Sequence, residues 1–118
     1  MKHKRIIIRN FSTKYLPTQD VQLVYTHYVQ NNAHALTLLS MDGEPLMTAS
    51  TNLDAGITND EVVIKDYSEN EGVRDTLIRA GVISEDNWFI TRRYSPTHIV
   101  TFPVHVLLDM EDGKEIVL

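Results

Sequence analysis

The stretch Asp60–Val82, DEVVIKDYSENEGVRDTLIRAGV, decides how the rest of the chain is read. It opens with a short β-branched run, Glu61–Lys65, turns polar and acidic, and ends in the one convincing helical pattern of the sequence. Ser68 is placed to act as N-cap, its hydroxyl accepting from the N–H of Glu71. The Glu71 carboxylate can return a bond to the Ser68 N–H, which makes a capping box. Asp66, Glu69 and Glu71 put negative charge at the positive end of the helix dipole. Val73, Leu77 and Ala80, widened by Ile78, form an apolar stripe, with Arg74, Asp75 and Arg79 largely on the other side. Gly81 is the expected left-handed residue after the helix, with Val82 set to touch Leu77 in a Schellman stop. Gly72 falls in the first turn, at a cost of roughly 1 kcal/mol relative to Ala. A helix over about 68–80 is marginal alone, so it needs a sheet to lie on.

On both sides of this stretch the pattern is that of strands. Lys4–Asn10 (KRIIIRN) is a β-branched run. Asp20–Gln30 alternates: Val21, Leu23, Tyr25, His27 and Val29 oppose Gln22, Val24, Thr26, Tyr28 and Gln30, a strand with one buried face. Asn31-Asn32 tolerates positive φ and predicts a tight turn. Asp42-Gly43 between apolar runs predicts a hairpin with arms Ala35–Met41 and Pro45–Asn52. Leu53–Asn59 reads as loop, Ser84–Asn87 as a polar turn, Trp88–Tyr94 as a strand and Ser95-Pro96 as a break. His98–Leu108 is the longest alternating strand, and Pro103 within it, lacking a ladder donor, requires an edge position or a bulge. Asp112-Gly113 predicts a small hairpin returning through Ile116 to Leu118. The sum is an α+β fold in a single domain, residues 1–118. It is a mostly antiparallel, curved meander with one main helix packed on it.

At 118 residues the chain can bury roughly two-thirds of its unfolded surface. Its apolar content of 42% and charged content of 23% are ordinary for a globular protein. It has no cysteine, which excludes disulfides and thiolate zinc sites. No apolar run approaches the ~18 residues of a membrane span, and the N-terminus lacks the h-region and cleavage site of a signal peptide. A cytoplasmic protein without a membrane partner is expected. The net charge of −5 is unevenly spread. Residues 1–15 hold five bases (Lys2, Lys4, Arg5, Arg9, Lys14) and no acid, whereas residues 54–86 hold nine acids, Asp54 among them, against three bases. One reading has these surfaces solvated and complementary across the fold. The other has the acidic face of Asp66, Glu69, Glu71 and Asp75 docking on a basic partner or mimicking nucleic-acid phosphate.

Catalytic signatures are missing. His3, His27, His34, His98 and His105 show no HxH or HxxxH spacing, so neither a metal nor a cofactor is expected. The serines lack a nucleophile elbow, and the five glycines make no phosphate-cradling loop. The carboxylates near the helix are explained by a solvated helix start rather than acid–base catalysis. No enzymatic activity is expected. Trp88, Phe89, Arg92, Arg93 and Tyr94 interleave aromatics with arginines, a composition that stacks on bases and holds phosphates. Joined to Lys4, Arg5 and Arg9 they could form a nucleic-acid surface. The bland alternative packs Trp88 and Ile90 in the core and leaves both arginines solvated.

Three stretches, DGEPLMTASTNL (42–53), VVIKDYSENEGVRDTLIRAGVI (62–83) and IVTFPVHVLL (99–108), resemble small proteins of unknown function carried by phages, plasmids and other bacterial mobile elements. Asp42, Gly43, Glu44, Pro45, Asn52, Leu53, Gly81 and Pro103 match that pattern. Many such proteins have a Thr-Gly-Arg-like turn after the helix, where this chain has Ser84-Glu85-Asp86-Asn87. The resemblance implies an accessory protein that binds a host- or element-encoded protein. Together these features predict a non-enzymatic interaction protein, in one version an acidic-surface inhibitor of a host nucleic-acid-binding or defence protein. It would act through the acidic helix face or an exposed strand edge, with self-association at the Pro103 strand as a further option. A nucleic-acid-binding module is the alternative.

Overall fold

The computed structural model describes residues 4–53, 58–94 and 96–118. Expectations for Lys2, His3, Asp54, Ser95 and the middle of the 53–59 loop lie outside them. The fold is α+β, and the described residues form eight strands in two antiparallel-rich open sheets and one short α-helix. The first four strands, β1 (Lys4–Phe11), β2 (Gln19–His27), β3 (His34–Ser40) and β4 (Pro45–Thr48), form an up-and-down meander. The reversals fall near the expected places, Asn32 at φ +58 within a 28–33 connection and Gly43 at φ +88, but the second hairpin arm, expected to run to Asn52, ends at Thr48. The β2 alternation ends early, and Val29 is almost fully exposed beyond it.

The second sheet is separate. It has the order β5 (Glu61–Val63), β7 (Ile99–Leu107), β6 (Ile83–Tyr94). Residues 49–51 stitch the two sheets together, with Ser50 bridging Ile64 and the Thr51 N–H donating to the Val63 carbonyl. The main core lies between the meander, the helix and β5: Ile6, Ile8, Phe11, Leu23, Leu36, Leu38, Val62, Ile64, Leu77 and Ile83 are wholly or almost wholly buried. A small second cluster, Leu53, Val63, Phe102 and Val104, fills the opposite face of β5 and β7.

Three expectations are corrected. The helix α1 spans only Val73–Arg79, preceded by a 3-10 turn at Ser68–Asn70. Gly72, at φ +97, breaks the helical path, and Ser68 itself sits at φ +57, so no capping box forms. Asp66 caps instead, its Oδ1 accepting from the N–H groups of Gly72 and Arg74 at 3.0 and 3.1 Å. Second, β8 (Glu115–Val117) does not return as a hairpin; it adds in parallel to β1 at the sheet edge. The turn at Gly113 survives, tied down by Asp112 Oδ1 on the Arg5 N–H. Third, the Pro103 strand is central, and its pairing with β6 is continuous there. Pro103 turns its backbone toward β5, where the Ile64 N–H donates to its carbonyl just past the end of that strand. A missing donor is tolerated there because no ladder partner needs it.

The far end of the helix matches the sequence reading. Gly81 is left-handed at φ +75, with Gly81 N–H on the Ile78 carbonyl and Val82 N–H on the Leu77 carbonyl, both at 3.0 Å. That bond pair is a Schellman motif, and Leu77 and Val82 are both buried.

Candidate functional site

The β6–β7 ribbon carries five of the exposed large apolar residues: Trp88, Phe89, Ile90, Tyr94 and Ile99. Ile83 pairs with Leu107, residues 84–87 loop out, and pairing then runs unbroken from Trp88↔His105 to Tyr94↔Ile99. Ser84–Asn87, expected as a turn ahead of the strand, lies instead within β6 as a bulge, with Ser84 Oγ accepting from the Asp86 and Asn87 N–H groups. Beyond it the exposed apolar residues gather: Trp88 is 42% exposed, Ile90 56%, Tyr94 71% and Ile99 59%. The packing of Trp88 and Ile90 into the core, weighed from sequence, does not occur.

Among the described residues no strand lies beside the outer edge of β6. Leu107 N–H donates to the Asp60 carbonyl and Ile64 N–H to Pro103, so odd residues of β7 face β5. Even residues therefore face β6, where Val100, Phe102 and Val104 oppose Arg93, Thr91 and Phe89. Trp88, Ile90, Arg92 and Tyr94 are left with their N–H and C=O groups turned outward, a row of donors and acceptors that no described strand takes up. Neither Arg92 nor Arg93 has an acidic partner among the described residues.

The root of the ribbon is tied to the rest of the fold by His105 and Arg74. His105 on β7 is fully buried, and its Nδ1 lies 2.7 Å from the Ser84 carbonyl oxygen. That partner assigns the proton to Nδ1, leaving Nε2 to accept from Arg74 Nε at 2.7 Å. Burial pushes the His105 pKa down, and the Arg74 charge adds to this against the opposing Ser84 bond, so the ring stays neutral. Trp88 stacks on His105 with centroids 5.5 Å apart, and the Arg74 guanidinium lies 4.3 Å from the Trp88 ring centre. Arg74, expected on the polar face of the helix, thus turns inward. Residues 74, 88 and 105 come from three elements, and no local pattern joins them.

The remaining candidate residues are placed as follows. Asp66 is occupied as the helix cap. Glu69 pairs with Lys65 at 2.9 Å, which pulls its carboxyl down to about 2. Glu71 pairs with Lys14 at 2.9 Å, and Asp75 is exposed. A shallow depression lined by Tyr15, Ser68, Glu69 and Glu71 lies at this end. In the basic set, Lys4 pairs with Asp109, Arg9 with Asp20 and Glu115, and Arg5 bonds Gln22. These residues belong to β1, in the other sheet from Trp88, Arg92, Arg93 and Tyr94. The basic surface is therefore neutralised mainly by Asp20, Asp109 and Glu115, with Lys14–Glu71 its link to the acidic helix start. Among the described residues no group of three or more His, Asp or Glu could hold a metal ion. None of the helices there is long and apolar enough to cross a membrane.

No family model, curated protein or solved structure matches this chain. The ribbon thus combines a strand edge with no neighbour among the described residues, exposed aromatic faces and guanidinium groups, beside the Arg74–Trp88–His105 contacts.

Proposed function

We propose that this chain is a small, non-enzymatic protein-interaction module of the cytoplasm whose partner adds a strand to the outer edge of β6. The supporting observation is the uncovered edge from Trp88 to Tyr94, whose apolar side chains and outward backbone groups coincide. The setting, an accessory protein of a phage or mobile element, rests on the resemblance of residues 42–53, 62–83 and 99–108 to such proteins. An acidic-surface inhibitor draws weaker support, since Asp66, Glu69 and Glu71 are already held by partners within the chain. A nucleic-acid module draws on Arg92 and Arg93, but Lys4 and Arg9 carry acidic partners of their own.

The test is affinity capture from nuclease-treated bacterial lysate with three baits. Wild type and a Glu69→Lys/Glu71→Lys/Asp75→Lys triple variant are expected to retain the same protein, and Ile90→Lys to lose it. Retention by Ile90→Lys with loss by the triple variant would move the site to the acidic face. Capture that needs intact nucleic acid would favour the nucleic-acid reading.

A further inference from the structure

We infer that the strand added to β6 is the β6 of a second copy of this chain, paired antiparallel about a two-fold axis at Ile90; this rests on the β6 edge being the interaction surface. Charge along the strand selects this occupant. β6 begins acidic, with Glu85 and Asp86, and ends basic, with Arg92 and Arg93. An antiparallel copy brings the acidic start of one strand toward the basic end of the other, at both ends at once, which no partner of uniform charge achieves.

The backbone permits the same pairing. Residues that turn their bonding groups outward must face one another, and with Ile90 on the axis they do: Ile90 opposes Ile90, and Trp88 opposes Arg92. Trp88 and Arg92 then form a cross-strand cation–π pair, and the acidic loop-out at Glu85 and Asp86 lies at the same end of the pairing as the partner strand's Arg92 and Arg93. An axis at Arg92 or Arg93 would set arginine directly against arginine, which is destabilising. An axis at Thr91 would carry the acidic start past the end of the partner strand. The Ile90 register joins the two three-stranded sheets into one six-stranded sheet and removes the free edge of each.

Sedimentation of the full chain tests this. Wild type is expected to be a dimer at tens of micromolar, and Arg92→Glu/Arg93→Glu and Glu85→Arg/Asp86→Arg each to weaken it about tenfold or more. An equimolar mixture of the two charge variants should restore the dimer, because each then meets its complement. The native chain has no cysteine, so a single Ile90→Cys gives an independent readout. Opposed residues in a hydrogen-bonded antiparallel pair lie about 5.5 Å apart at Cα, within disulfide range. Ile90→Cys should therefore cross-link under mild oxidation, and Thr18→Cys, in the β1–β2 connection, should not. A monomeric wild type, a dimer indifferent to both charge variants, or equal cross-linking at the two cysteines would overturn the proposal. If wild type is monomeric and Ile90→Lys still abolishes capture from lysate, the edge remains the site and only the second copy is excluded. If neither association depends on Ile90, the interaction surface itself is wrong.

Discussion

The meander β1–β4 and the ribbon β6–β7 are both built of alternating, β-rich sequence, yet the fold treats them in opposite ways. In the meander Ile6, Ile8, Val21, Leu23, Leu36 and Leu38 are fully buried, and Lys4 and Arg9 of β1 meet carboxylates. In the ribbon Trp88, Phe89, Ile90, Tyr94 and Ile99 are each more than 40% exposed, and Arg92 and Arg93 find no acid among the described residues. The helix and β5 lie against the meander, whereas in the ribbon Phe102 and Val104 are covered by Leu53 and Val63 but Trp88, Phe89, Ile90, Tyr94 and Ile99 stay exposed among the described residues. An apolar alternation thus does not by itself say whether the chain covers that face. Where the chain supplies the cover the residues contribute stability; where it does not, they are free for a partner.

The largest expected effect that would break this contrast comes from one truncation in each region. Leu23→Ala should cost about 3 kcal/mol in urea unfolding, whereas Ile90→Ala should stay within about 0.5 kcal/mol under conditions where the chain is monomeric. Similar losses at both positions would mean that the ribbon is packed in solution, and the contrast would fail.

Next comes the seam that fixes the helix to the meander. Helix propensity alone expects Gly72→Ala to stabilise by up to roughly 1 kcal/mol. The structure expects the reverse, because Gly72 has φ +97 and an added Cβ would lie 3.1 Å from the Lys14 backbone nitrogen. A loss of about 1–2 kcal/mol follows from the left-handed strain and this close approach. It should appear as a lower urea midpoint, and a raised midpoint would show that residues 68–72 can rejoin the helix.

The smallest effect concerns the paired charges on the covered side. The Lys65 ammonium holds the Glu69 carboxyl down to about 2 against its ordinary value of 4.5. A depressed folded-state value means that its contribution to stability is present above the unfolded value and is lost as pH falls through about 2. Because Glu69 is a surface group the contribution is small. Side-chain NMR should show the low titration midpoint in wild type and a return toward the usual carboxylate range in Lys65→Ala.

Local chemistry made parts of the fold legible. The hairpin at Asp42-Gly43, the turn at Asn31-Asn32 and the Schellman stop at Gly81 depend on φ preferences and bonds within a few residues, so the residues themselves specify them. The apolar alternation likewise marked Val21, Leu23, Val104 and Phe102 for burial. The helix start escaped for a related reason: Ser68 and Glu71 formally satisfy a capping box, but Gly72 and the docking of Glu71 against the Lys14 N–H set a different path, with Asp66 as the cap. Strand order was beyond local reading. Nothing near Pro103 states that β5 ends where the proline turns its backbone, and nothing near Ile116 states that β8 runs parallel to β1. The site divides in the same way. The aromatic and arginine content of Trp88–Tyr94 was visible in the residues. Its exposure, its free edge and the Arg74–Trp88–His105 base were decided by tertiary structure, because burial and register depend on which distant segments arrive to cover a strand.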